Sequence, residues 1–211
     1  LRVGRDLIFI MLLLHHLKER RGRNHLPMTN NIMKTDLFSI PMYEIEVDLD
    51  KIIVNTDKWV PTFESGVPTS MNGGTDLPSK TCDYISSIVK DILNSIGDDW
   101  ETFYIQGLWR NKYDVHDYQL YHIHPRSQWS FIIYETVEES KTMFINPSMH
   151  DIQNHFGFPP VDSWPIYYTP KVKSGTMLLF PSFLGHQVVA GNKGTTIAGN
   201  IAVEYVHPDP M

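Results

Sequence analysis

Several features that would advertise a function are missing from this sequence. It holds a single cysteine, Cys82. That excludes a disulfide framework and any cysteine-based zinc site, and it suits a reducing cytoplasm. Positive charge is not in excess: 18 Lys and Arg stand against 24 Asp and Glu, for a net charge of −6. A dedicated nucleic-acid binder would show a basic face instead. The longest apolar run, LIFIMLLL over residues 7–14, is far short of the roughly 20 residues a helical membrane span needs. Arg2 and Arg5 ahead of it imitate a signal peptide, but no small-residue cleavage site follows. Neither HExxH nor HxxEH occurs, and there are no internal repeats or low-complexity tracts. The partner implied is therefore neither a membrane nor a nucleic acid.

What is present points to one folded domain. The 211 residues suffice for one core, and 12% aromatic against 20% charged residues excludes intrinsic disorder. Residues 1–32, with the basic stretch KERRGRNH at 18–25, continue no strand or helix pattern. We expect them to be a leader or tail outside the core, with the chain proper starting at Met28 or Met33 and a single domain over 33–211. Residues 41–49 alternate Tyr43, Ile45, Val47 and Leu49 with Glu44, Glu46 and Asp48, the period of a half-buried strand. Residues 55–78 read as one long loop and a candidate lid. Ile85, Ile88, Val89, Ile92, Leu93 and Ile96 form one apolar stripe, which predicts a helix over 81–96 capped by Ser79 or Thr81 and ended by Gly97. Beyond Trp100, eight short segments rich in β-branched and aromatic residues alternate with turns, and no further helical pattern separates them. The fold expected is mainly β, a sandwich, jelly roll or barrel.

The chemistry lies in the histidines. His122 and His124 are two apart at a strand, so both imidazoles project to one side and can share a metal ion. His186, which follows the buried run GTMLLFPSFLG, is the best third ligand. His15, His16, His25 and His207 lie in tails, and His116, His150 and His155 in expected loops. Three imidazoles without cysteine admit Zn, Fe, Cu, Ni or Mn.

A resemblance narrows this choice. WRNKY at 109–113, QLYHIHPRSQWSFIIY at 119–134, FINP at 144–147, GTMLLFPSFLGHQV at 175–188 and TTIAGNI at 195–201 resemble the 2-oxoglutarate/Fe(II)-dependent oxygenases of tailed marine phages and proteobacteria. These are distant relatives of the prolyl 4-hydroxylase catalytic domain. The likeness extends over residues 36–205. It implies a double-stranded β-helix (jelly roll) with one or a few flanking helices, Fe(II) at its open end, 2-oxoglutarate as co-substrate, O2 as oxidant, and oxidation of an unknown small molecule or protein side chain in the cytoplasm, the host's if the gene belongs to a phage. His122 and His186 would be ligands. His124 stands where the wider superfamily carries a carboxylate, so the site is three-histidine unless Asp117 or Glu135 substitutes.

The resemblance also lacks a part. The family's arginine for the far carboxylate of 2-oxoglutarate aligns with Gly194, and no Arg follows Arg126. Because a buried dianion needs a cation or several donors, the expected anchors are Lys193, Lys141 or Arg126, helped by Tyr134, Thr196 and Asn200. Trp129, Trp164, Tyr167 and Tyr168 are candidate pocket residues. Two other readings remain. One is a cupin-type three-histidine dioxygenase that does not use 2-oxoglutarate, and the other is a non-catalytic jelly-roll binding protein.

Overall fold

The computed structural model describes residues 35–54, 58–62, 66–71, 78–97, 99–157 and 163–206. The leader expected over 1–32, His15, His16, His25 and His207 lie outside them. Two antiparallel sheets face each other, and the fold is a jelly roll. The strands are β1 (Tyr43–Glu46), β2 (Val60–Pro61), β3 (Pro68–Thr69), β4 (Trp100–Tyr113), β5 (Gln119–His122), β6 (Trp129–Glu139), β7 (Thr142–Ile145), β8 (Tyr167–Tyr168), β9 (Thr176–Pro181), β10 (His186–Val188) and β11 (Lys193–Tyr205). The helices are α1 (Ser79–Ile96) and α2 (Met149–Phe156). The large sheet runs β1-β9-β6-β11-β4-β3-β2, the small one β5-β10-β7-β8. No helix among the described residues is long and apolar enough to cross a membrane.

The helix stripe does what its spacing predicts. Ile85, Val89, Ile92 and Leu93 are buried against Leu108, Phe131, Ile133, Met177, Leu179 and Ile197 of the large sheet. Each such side chain contributes about 1.5–3 kcal/mol on burial. Gly97 ends α1 at φ +85°, left-handed backbone that glycine adopts without a Cβ penalty. The start differs from expectation. Pro78 occupies the cap position without a side-chain bond. The Thr81 hydroxyl instead clamps Ile53, donating to its carbonyl and accepting from its N–H, both at 2.9 Å.

Strand β9 explains why TMLLFP reads as a continuous apolar run. Met177 and Leu179 face α1, while Leu178 and Phe180 join Tyr134, Phe144 and Leu184 between the sheets. Both faces are buried, so period two disappears.

Three expectations need correction. The stretch 55–78 is not one loop, because β2 and β3 pair within it and β3 joins β4 at Thr69 and Asn111. The strands after Trp100 are not all short: β4 has 14 residues and β11 has 13. The polar run Arg110-Asn111-Lys112 looks like a turn in sequence, yet it continues β4 because each of its residues pairs with β11. Finally, 149–156 is helical, so His150 and His155 sit on α2 and not in loops. Only Ile152 of that helix is buried, too little for an apolar period to register.

Candidate metal centre and its cavity

Register brings the histidines together. His122 ends β5, His186 opens β10, and the two are directly opposed. Their ring centroids lie 4.3 Å apart. His124 falls in the turn after β5. Its N–H donates to the Ser182 carbonyl at 3.0 Å, and its carbonyl accepts the Ser127 hydroxyl at 3.1 Å. The N–H of Ser182 in turn donates to the Gln128 carbonyl. The turn carrying HIHP is thereby pinned to the turn carrying PSFLG. Gly185 makes that approach possible, since a Cβ there would enter the Tyr121 ring.

One ring nitrogen from each of His122, His124 and His186 lies within 4.8 Å of the other two, the one such group of potential ligands among the described residues. His124 Nε2 and His186 Nε2 are 3.4 Å apart. Burial, and after it the neighbouring His122, holds His186 down to about 3 and His124 down to about 4, so both rings are neutral at pH 7. A carbonyl oxygen can only accept. Hence His122 Nδ1–H donates to Leu120 at 2.7 Å and His186 Nδ1–H to Leu184 at 3.1 Å, and the neutral His186 ring turns its Nε2 lone pair toward His124 Nε2. Phe144 and Phe180 wall His186 at 5.6 and 5.1 Å between centroids. Three imidazoles that each bring a ring nitrogen within 4.8 Å of the others are a donor set that fits a divalent transition metal. The alternative carboxylates are engaged elsewhere: Asp117 accepts the Asp114 N–H at 2.7 Å, and Glu135 pairs with Arg110 at 2.6 Å.

The triad opens into a cavity of about 470 Å³ between the sheets. Of the other residues expected at the site, Thr196 and Asn200 line it, and Lys193, Lys141, Arg126 and Tyr134 do not. Lys193 and Lys141 reach outward to Glu138 and Glu139. Arg126 sits exposed in the turn after His124 at φ +69°. The Tyr134 hydroxyl donates to Thr142 at 3.0 Å. No Lys or Arg is among the described lining residues. Trp129 belongs to the core, its indole N–H donating to Tyr205 at 3.0 Å, while Trp164, Tyr167 and Tyr168 are exposed.

The lining contains residues that sequence reasoning passes over: Trp109, Asn111 and Tyr113 of β4, facing Thr196, Ala198 and Asn200 of β11. Spacing of two on both strands was the available signal. It becomes visible only once WRNKY is known to be strand.

Comparison with known proteins bears on this region. Residues 107–197 match the family model described as "Putative 2OG-Fe(II) oxygenase". The matched segment contains all three histidines together with Asn111, Tyr113 and Thr196. The enzyme class expected from the sequence is that of the matched family, a dioxygenase using Fe(II), 2-oxoglutarate and O2. No curated protein matches the chain. Among solved structures it is similar to a Pseudomonas putida prolyl-4-hydroxylase (11% identity, 72% of this chain and 79% of that one, TM-score 0.45). It is also similar to a viral collagen prolyl hydroxylase of Paramecium Bursaria Chlorella virus-1 (15% identity, 67% and 80%, TM-score 0.44). A third is HygX of Streptomyces hygroscopicus, solved with nickel, 2-oxoglutarate and hygromycin B (11% identity, 77% and 82%, TM-score 0.45).

Proposed function

We propose that this protein is a 2-oxoglutarate- and Fe(II)-dependent oxygenase that hydroxylates a small molecule or a protein side chain, with His122, His124 and His186 as the iron ligands. It belongs, on this reading, with the phage and proteobacterial branch that its HIHP and LLFPSFLGHQV blocks resemble, and works in a cytoplasm. The observation that carries the reading is the convergence of three imidazoles on the wall of a cavity within the matched segment.

Each part of the chain has a task. The Leu120 and Leu184 carbonyls fix the tautomers of His122 and His186. The aromatic wall of Phe144 and Phe180 keeps His186 dry and its ring immobile. His122, His124 and His186 would hold the iron at the wall of the cavity. Bound iron supplies activation of O2, coupled to decarboxylation of 2-oxoglutarate to succinate. The protein supplies binding, orientation and exclusion of water. The third ligand is neutral, so the metal site is one unit more positive than a two-histidine, one-carboxylate site.

The test is anaerobic. Fe(II)-loaded protein titrated with 2-oxoglutarate should develop a metal-to-ligand absorption band in the visible, and admission of air should yield succinate. Iron binding without any band or succinate would overturn the reading. It would favour a cupin-type three-histidine dioxygenase without 2-oxoglutarate, which the lack of a cation among the described lining residues supports.

A further inference from the structure

We propose that the molecule oxidised is an uncharged primary amide with an apolar body, its NH2 group held by the side-chain oxygens of Asn111 and Thr196. The inference rests on the oxygenase reading above and concerns the substrate, not the 2-oxo acid.

Three observations converge. The first is the mouth of the cavity. Among the described lining residues, those exposed to solvent are Met71, Ile123 and Pro125, all apolar. Ile123 and Pro125 flank His124, and the Trp109 ring lies 6.0 Å from the His124 ring between centroids. A substrate therefore reaches the ligands across apolar surface, which favours an apolar body. The second is a pair of acceptors. Asn111 is 4% exposed and lines the cavity, and its carboxamide oxygen is buried with no hydrogen-bond partner. Such an atom is costly to leave unpaired, and it can only accept. Thr196 is the cross-strand partner of Asn111. The Tyr113 hydroxyl donates to Gln119 Oε1 at 2.7 Å, so the Thr196–Tyr113 hydrogen bond takes its proton from Thr196. The Thr196 oxygen is thereby left as an acceptor too. Opposed strand residues stand roughly 4.5–5.5 Å apart at Cβ, a spacing at which one NH2 group can donate a hydrogen to each.

The third observation is charge. No Asp, Glu, Lys or Arg is among the described lining residues. An ammonium group would be buried there without a counter-ion. A carboxylate brings no hydrogen to two acceptors, and a hydroxyl brings one. A primary amide brings two hydrogens and no charge. Asn111 follows Trp109 by two residues on β4, roughly 7 Å along the strand. An amide held at Asn111 thus has its apolar body beside Trp109 and the histidines.

The test uses Fe(II)-loaded protein saturated with 2-oxoglutarate under argon, so that nothing turns over. Benzamide, methyl benzoate, benzoate and benzylamine share one apolar body and differ in charge and donors. Their dissociation constants are read from the broadening of their NMR lines. Benzamide should bind about 3- to 10-fold tighter than methyl benzoate, the scale of a neutral hydrogen bond, and tighter than either charged probe. Asn111→Leu should remove that preference while leaving methyl benzoate affinity and the 2-oxoglutarate absorption band unchanged. Its melting temperature should equal or exceed that of wild type, because an unpaired buried oxygen is removed. Met71→Ser should weaken benzamide and methyl benzoate alike. A lower melting temperature in Asn111→Leu with the preference intact would make Asn111 a structural residue and overturn the proposal. If benzamide binds no better than methyl benzoate or benzoate while the band forms, the proposal fails alone. If the band never forms, it falls together with the oxygenase reading.

Discussion

The two sheets contribute differently to the one cavity between them. The small sheet, strands of two to four residues, carries His122 and His186 and, just past β5, His124. The large sheet, built on strands up to 14 residues long, carries Asn111, Tyr113, Thr196 and Asn200. The small sheet presents the imidazoles, with Gln119 and Thr142 beside them, and the large sheet presents side chains that are no metal ligands. Metal affinity should therefore respond to mutation of the small sheet and not of the large one.

The largest expected effect breaks the small sheet's half. His122→Ala or His186→Ala should abolish stoichiometric Fe(II) binding, measured as metal content after gel filtration, whereas Tyr113→Phe should leave it intact. Full iron occupancy in either histidine variant would sink the ligand assignment. His186 is packed between Phe144 and Phe180, so its truncation should also lower stability by about 1–3 kcal/mol. A purely exposed ligand would not do so.

The next effect belongs to the large sheet. Gly199 lies where a Cβ would meet Phe131 and the Gly107 carbonyl. Gly199→Ala should destabilise the fold by about 1–3 kcal/mol, read as a lower melting temperature. An unchanged melting temperature would mean that the packing among β4, β6 and β11 is looser than described.

Acid should act on the small sheet first. The folded values of His124 and His186, about 4 and about 3, lie below the unfolded value near 6.5. Between these limits the unfolded chain takes up protons that the folded one refuses. Stability of the metal-free protein is thus full above about pH 6.5 and declines as pH falls toward 4. Urea titrations at pH 7.5 and 5 should show it, and a His124→Gln, His186→Gln double variant should flatten the difference.

The smallest effect is a control. Lys193 and Glu138 form an exposed pair at 2.7 Å, of a kind that adds little to stability. Lys193→Met should shift neither melting temperature nor 2-oxoglutarate affinity beyond experimental scatter.

The contrast between the sheets also explains what could be read from the sequence. His122, His124 and His186 were legible because their spacing and flanking turns are local, and α1 because its apolar stripe repeats at helical period. Of the large sheet's share, Thr196 and Asn200 were expected at the site, while Asn111 and Tyr113 were hidden. Arg110, Asn111 and Lys112 look like a break in strand β4, and only pairing with β11 and β3 makes them strand and turns Asn111 into wall. The lysines attracted attention for their charge, yet Lys193 and Lys141 find carboxylates on their own side of the chain, at Glu138 and Glu139. Charge in a sequence says what a group needs, and topology decides where it is met. Helix α2 was missed because a single buried residue, Ile152, leaves no period.

Gly194 has a consequence for how this protein could change. A Cβ there would run into the Thr136 carbonyl, and its φ of +141° is one that side-chain-bearing residues rarely adopt, so a mutation to arginine at this position would disrupt the pairing of β11 with β6 before any new ion pair formed. No single substitution there leads to the family's usual cation anchor.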